Sequence, residues 1–473
     1  MSEVDDLLAT LDDELITQQR KIALPGDYYA GNHRLLFASA KFRNAFGRLF
    51  QALADNWCKI VVDAPVERLA IDGFRIGKSD SADEDARHIW QANNLDAESL
   101  MLHTEAGIAG CGYIMVSPAS RDGDVPLVTV EHASQVIVLH APGNRRRRLA
   151  ALKKWRGDDR YDYAALYLPD YVHQFRSVEK VSRGASAPRT RGWSAAEGSG
   201  PNALGVVPVI PLYNNPRMLG GGQSDLDTAI PLQDAINKQV ADMLIASEFV
   251  AHPQRYATGV EVPTIEQDGK QLPDPAFEIT TSVSRLLVSE DPDAKFGQLE
   301  GADLAKYVQP ISMLLQHLAA QTRTPPHYLL GQIVNASGDA LKAAETGLVA
   351  KVKRKQIDFG EAWEEAIRLA LRLQGKATGD EASIETIWRD PEYRSFGELV
   401  DGLTKLSTIG VPNEVLWEKA GFTQVEIDRM REAQEADEFL GRAAEQQQAA
   451  MMAEAARREA AAIPADAGTA AVA

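Results

Sequence analysis

The chain has 473 residues, 45% hydrophobic and 25% charged, which is ordinary for a folded protein and leaves room for two to four domains. No run of eighteen apolar residues occurs, so no membrane span is expected; Asp5, Asp6, Asp12 and Asp13 stand where a secretory signal would need basic and then apolar residues. A net charge of −17 argues against a dedicated nucleic-acid binder, and Cys58 and Cys111 alone cannot make a disulfide framework, so a reducing compartment is expected.

Residues 1–60 are predicted helical. Leu7, Leu8, Leu11 and Leu15 form an apolar stripe that Pro25-Gly26 should break, and Phe42, Phe46, Leu49, Phe50 and Leu53 mark a second helix. Ile60-Val61-Val62 and Leu69–Phe74 read as β-structure. A helix over Asp83–Gly107 then precedes strands at Gly112–Ser117, Leu127–Glu131, Gln135–Leu139, Ala150–Trp155, Ala164–Leu168 and Tyr171–Phe175. Residues 143–156 hold seven basic residues and no acidic one. Within them Arg145, Arg146, Arg147 and Arg148 follow the turn signal Pro142-Gly143-Asn144. They predict a basic hairpin tip, either solvated or touching nucleic acid or an acidic neighbouring subunit.

Residues 180–205 read as an exposed loop and Val206–Leu212 as a short strand. Gly220-Gly221-Gly222 reads as a hinge before a long helix that starts near Ser224 or Asp225 and stops at Pro253. Residues 254–300 turn Pro/Asp/Gly-rich and β-like, with Arg285–Ser289 as the clearest strand. This insert sits between helices 224–250 and 303–321, so its ends should lie close together, as in a small module projecting from a helical hairpin.

The next helix has Asp303 as a candidate N-cap and Pro310 as a kink or restart, and Thr324-Pro325-Pro326 should end it. Gly331 and Asn335–Asp339 form a small polar loop. From Ala340 the helical period returns through Leu341, Leu348, Val352, Phe359, Trp363, Ile367 and Leu371. At 1.5 Å per residue this rod is roughly 50 Å long. Helices average about 11–12 residues, so the rod must lean on more than one small core. Lys351, Lys353, Arg354 and Lys355 read as its solvated face. Residues 377–473 read as helical and acidic, with 19 Asp/Glu against 9 Lys/Arg. Pro412-Asn413 starts one helix, Thr423 with Glu426 suggests a capping box for the next, and an Ala/Glu/Gln-rich tail follows.

No catalytic pattern is found. A GxxxxGK[ST] phosphate loop is absent, the nine histidines include no HExxH, and two unspaced cysteines cannot build a zinc site. Cys111, with His103 and His132 near it in sequence, reads as a buried strand residue before it reads as a nucleophile. A small polar loop on a rigid lever, with a helix too long for its own domain, points instead to an oligomeric machine part.

Thr324–Gly331, Asn335–Leu341 and the long helix with Lys351 and Phe359 resemble the tunnel-loop region of SPP1-type bacteriophage portal proteins. Tyr28-Tyr29 with Gly31 and His33, Glu67-Arg68-Leu69 with Gly73-Phe74, Gly112-Tyr113, Pro208 to Asn215, Gly222–Leu226, and Asp401 with Lys405, Gly410 and Pro412 agree in order and spacing.

The resemblance implies an α+β, mainly helical portal fold with a long tunnel-side helix, assembling as a ring of about twelve subunits at one capsid vertex. It implies a wing over residues 1–222, a stem helix over 223–250, a clip over 251–302 and a second stem helix over 303–330. The tunnel loop and long helix would occupy 331–376, and a helical crown with a frayed tail 377–473. Double-stranded DNA would be packaged and ejected through the ring. The terminase large subunit, head-completion or adaptor proteins, and the major capsid and scaffolding proteins would be its partners, in the virion and during assembly in the host cytoplasm. Asn335, Ser337, Gly338 and Lys342 would be loop or loop-edge positions near DNA, with Lys342 as the natural phosphate contact. Arg145 to Arg148, Lys351 and Lys353 are further candidate basic contacts. No cofactor, metal or enzymatic activity is implied. Two other readings stay open from the residues themselves, a non-enzymatic oligomeric scaffold and a capsid-associated enzyme with an unrecognised site.

Overall fold

A computed structural model describes residues 3–34, 55–77, 82–119, 121, 124–180, 192–251, 255–258, 264–267, 270–273, 293–298, 303–331, 338–376, 383–392, 396–422 and 424–461. In chain order it runs α1 (Glu3–Tyr29), α2 (Trp57–Val66), β1 (Ile71–Ile76), α3 (Glu84–Ala92) and α4 (Leu95–Ala109). Then come β2 (Cys111–Ser117), β3 (Leu127–Glu131), β4 (Val136–Ala141), β5 (Asn144–Arg156), β6 (Asp162–Tyr167), β7 (Tyr171–Ser177), β8 (Trp193–Ala195), β9 (Gly200–Pro201) and β10 (Val209–Tyr213). The helix α5 (Ala229–Ala251) is followed by the short strands β11 (Arg255–Thr258), β12 (Thr264–Gln267), β13 (Lys270–Pro273) and β14 (Lys295–Gln298). The chain closes with α6 (Ala305–Thr322), α7 (Pro326–Leu330), α8 (Gly338–Leu373), β15 (Ile384–Trp388), α9 (Phe396–Thr408), α10 (Asn413–Ala420) and α11 (Gln424–Ala461).

Two compact units share this chain. One comprises Met1–Lys21, Pro65–Gln223 and Val349–Ala473; the other comprises Ile22–Ala64 and Ser224–Leu348. In the first, β4-β5-β6-β7-β8 form an antiparallel sheet to which β9 adds beside β7. The predicted stripe on α1 lies across it. Leu8, Leu11 and Leu15 pack with Ile137, Leu152, Ala164 and Leu166, and each fully buried leucine contributes about 2 kcal/mol. Lys154 is buried beneath that helix, ion-paired to Asp12 and set 5.7 Å from the centre of the Trp193 ring. A second sheet, β10-β2-β3, packs against α4, and β1 pairs antiparallel with β15. The ring cluster of Phe74, Trp90, His103, Phe359, Trp363 and Trp388 fills the space around α8.

In the second unit α5 and α6 pack against each other. Tyr28 donates to Asp234 at 2.5 Å, and burial pushes both groups up from their usual ranges. Gln233 accepts from the Trp57 backbone at 3.0 Å and donates to the Asp55 carbonyl at 2.9 Å, which ties α2 to α5.

Several expectations need correction. Pro25 does not break α1, which runs 27 residues to Tyr29 and ends before Gly31 with φ +83°. Ile60-Val61-Val62 is helical. Cys58, Val61 and Val62 are fully buried in α2, so packing overrides the strand preference of β-branched residues. The helix expected over Asp83–Gly107 is two, split where Asn94 turns left-handed at φ 54°. Pro310 lies within one continuous α6, and that helix stops at Arg323 with φ 57°. The helix expected from Ser224 or Asp225 begins at Ala229, after a turn in which Ser224 Oγ accepts from Leu226 N at 3.0 Å. Residues after 376 are not helical throughout, because β15 returns to close the sheet with β1. The helix proposed through Phe42–Leu53, the strand Arg285–Ser289 and the cap residue Thr423 lie outside the described residues.

Candidate functional site

The long helix is the element on which the candidate residues hang. It is 36 residues long. Leu348, Val352, Phe359, Trp363, Ile367 and Leu371 are buried along it at the spacing the sequence predicts. Residues Gly338–Leu348 belong to the second unit and Val349–Leu373 to the first.

Lys355 is the correction on this helix. It was expected on a solvated face and is only 1% exposed. Its ammonium donates to Asn214 Oδ1 and lies 5.6 Å from the centre of the Phe359 ring. Helical phase explains this, since Lys355 sits three residues after Val352 and four before Phe359, on the apolar stripe. That spacing is the signal that would have found it.

Asn214 is in turn fixed from several sides. Its backbone N–H donates to the Gly110 carbonyl at 2.9 Å, its amide to the Gln223 carbonyl at 2.8 Å, and its own carbonyl accepts from Gln223 N at 2.7 Å. Gly222 completes the knot, because a Cβ there would lie 1.7 Å from the Gly110 carbonyl oxygen. Gly220 is open to solvent. The triple glycine is therefore a clamped position at Gly222 with a freer approach, rather than a uniform hinge.

One turn further along α8, Trp363 Nε1 donates to His103 Nε2 at 3.0 Å, and the His103 ring stacks on Phe359 at 5.1 Å. Burial, with the nearby Lys355 charge adding, pulls His103 down to about 3. Cys111 is buried in β2 and its thiol is pushed up to about 11 by that burial. His132 is elsewhere engaged, with Glu105 at 3.1 Å and Ser134 at 2.7 Å.

Of the candidate DNA-loop positions, Asn335 and Ser337 lie outside the described residues, and Gly338 is the first residue of α8. Lys342 is exposed one turn in, with its carbonyl accepting from Thr346 Oγ1 at 3.1 Å. The start of the helix is flanked by α7, whose His327 approaches Glu345 at 3.8 Å. Lys351 is half-buried, Lys353 pairs with Glu392 at 2.7 Å and Arg354 with Asp358 at 2.9 Å.

The basic hairpin divides as well. Arg145, Arg146 and Arg147 are exposed. Arg148 leaves that group, because its side chain is 9% exposed and its guanidinium meets Glu365 at 2.5 Å and the Val207 carbonyl at 3.3 Å. Among the described residues no group of three His, Cys, Asp or Glu is arranged to hold a metal ion, and no helix is long and apolar enough to cross a membrane.

The class that this architecture defines is an α+β, mainly helical protein. Residues 8–448 match the family described as phage portal protein, SPP1 Gp6-like. The portal protein of Mycobacterium phage D29 is 33% identical over 408 residues, covering 81% of this chain and 79% of the relative. That of Mycobacterium phage L5 is 31% identical over 407 residues, with the same shares of each chain. A chain in a solved structure described as the neck of an empty GTA particle computed with C6 symmetry matches 82% of this chain and 95% of its own, at TM-score 0.44 and 11% identity. The chain belongs to the SPP1-type family of phage portal proteins.

Proposed function

We propose that copies of this portal protein close into a ring of about twelve at one capsid vertex, and that double-stranded DNA enters and leaves the head through its channel. The wing, stem, clip and crown follow the boundaries given from the sequence. The α5 and α6 helices act as stem, residues 251–302 as the clip, and Asn335, Ser337, Gly338 and Lys342 as the loop or loop-edge positions nearest DNA. The clip docks the terminase large subunit during packaging and a head-completion or adaptor protein afterwards, and the major capsid and scaffolding proteins are further partners. The protein is a conduit and not a catalyst, with ATP hydrolysis left to the terminase, and it assembles in the host cytoplasm before it resides in the virion.

The observation that carries this reading is α8, a rod of 36 residues in a chain matching the portal family over residues 8–448. Electron microscopy with mass measurement tests it. Particles with a central hole and a mass of about twelve chains are expected. A species that stays monomeric even with scaffolding protein present would overturn it. For the clip, deletion of residues 254–300 should leave soluble protein that no longer retains terminase in a pull-down.

A further inference from the structure

The arginine tip of the β4–β5 hairpin is built to project charge. On β4, Ala141 pairs with Asn144 and His140 with Arg148, so Arg145, Arg146 and Arg147 have no partners across the ladder and loop out together. On the other side β6 pairs with β5 only from Ala151 onward. The base of this three-residue bulge is pinned, by Asn144 Oδ1 accepting from Arg146 N at 3.1 Å and by Arg148 on Glu365. Bulges of this kind re-aim side chains. Among the described residues, none of the three guanidiniums is in an ion pair.

The same chain carries the opposite charge on α1. Glu3, Asp6, Asp13 and Glu14 are exposed and in no ion pair among the described residues, and no Lys or Arg precedes Arg20. Helix polarity accounts for acids in the first turn, at Glu3 and Asp6. It does not account for Asp13 and Glu14, which lie more than two turns in. Asp12 is spent on Lys154, so it anchors the helix and leaves the outer face to the others.

We propose that the Arg145–Arg147 bulge of one copy docks on the acidic outer face of α1 in the next copy, as a head-to-tail contact repeated round the ring. Each copy supplies both halves, which is what a heterologous interface requires. The inference rests on the ring reading above. Exposed ion pairs contribute little stability, so the contact sets orientation and encounter rate rather than holding the ring by itself. A role in gripping DNA is the competing use, but three unshielded phosphate contacts per copy would make a conduit sticky.

The test uses full-length chains and two triple variants, Arg145→Glu/Arg146→Glu/Arg147→Glu and Asp6→Lys/Asp13→Lys/Glu14→Lys, each checked for a wild-type unfolding temperature. Each alone should form rings about tenfold more slowly than wild type at low salt, and the difference should shrink at about 1 M salt. An equimolar mixture of the two should recover the rate, since their tips and helices become mutually complementary. Unchanged ring formation by the arginine variant overturns the proposal, as does a mixture that fails to recover. Normal rings from the arginine variant with weakened duplex binding would assign the tip to DNA and also overturn it. Wild-type chains that close no ring would refute the ring reading itself.

Discussion

Two short basic runs, Arg145–Arg148 and Lys351–Lys355, look alike in sequence and are used differently by the fold. In the hairpin, a bulge frees three arginines and the ladder captures only the fourth. In α8, the period of 3.6 residues turns Lys353 and Arg354 outward and drives Lys355 into the core. Charge per residue is nearly the same in both. What separates them is backbone phase, and phase decides which cation faces solvent and which becomes part of the packing. Buried cations such as Lys355 and Lys154 hold elements together here, the exposed Lys353 and Arg354 pair with Glu392 and Asp358, and Arg145–Arg147 are in no ion pair among the described residues.

The largest effect should come from reversing the buried member of the helical run. Lys355→Glu places a carboxylate beside Asn214 Oδ1 and Phe359, with its cationic role lost, and should cost more than about 4 kcal/mol in urea unfolding or prevent folding altogether. Lys353→Glu, two residues away and 52% exposed, should cost within about 1 kcal/mol, chiefly through its pair with Glu392. Equal effects at the two positions would erase the distinction.

The triple glycine offers the same contrast on a smaller scale. Gly222→Ala must push apart two backbone segments, because its Cβ would sit 1.7 Å from the Gly110 carbonyl oxygen, and should lower stability by about 3 kcal/mol. Gly220→Ala meets nothing within 4 Å and should change it by less than about 1 kcal/mol. Thermal melts of the two variants check this.

Much of the architecture was legible because it rests on local periodicity. The leucine stripe of α1, strands β4 to β7, α8 and the start of α10 follow directly from spacing and turn residues, whereas β8 and β9 fall in the 180–205 segment that reads as an exposed loop. What escaped depends on distant partners. Nothing near Ile60-Val61-Val62 announces that α2 will bury both valines, and nothing in Ile384–Trp388 names β1, over three hundred residues earlier, as its mate. Lys355 was legible in principle from the stripe at Leu348, Val352, Phe359 and Trp363, but a lysine is read as exposed unless its phase is checked. For the candidate site, the exposure of Lys342 and Arg145–Arg147 agrees with a surface reading. Arg148 departs from it because Glu365 is supplied from another part of the chain.

Acid titration sharpens the comparison from the side of the core. His103 is held neutral to about pH 3, while in the unfolded chain it takes up a proton near its ordinary 6.5. Between those values the unfolded state binds the extra proton, so stability falls as pH drops below 6.5 and is insensitive to this group above it. His33 and His140 are lowered by burial as well and act with the same sign. Asp234, Glu364 and Glu418, raised by burial, act in the opposite direction at lower pH. The His103 share is isolated by difference. Going from pH 6.5 to 5, wild type should lose about 2 kcal/mol more than His103→Asn. Parallel pH profiles for the two would show that His103 is not kept neutral beside Lys355.

The smallest structural effect and the most specific functional one belong to Lys342. Exposed at the start of α8, it should tolerate reversal with a stability change of less than about 1 kcal/mol. If it meets passing phosphates, Lys342→Glu replaces an attraction with a repulsion in every copy round the ring, so even a weak single contact is multiplied by the symmetry. Rings should therefore assemble normally while packaged genome content falls, measured as DNA protected from nuclease in filled heads. Lys353→Glu, whose cation is already satisfied by Glu392, should package normally in the same assay. Normal packaging by both variants would remove Lys342 from the DNA path, and equal losses in both would mean that charge anywhere on α8, not position at its start, governs passage.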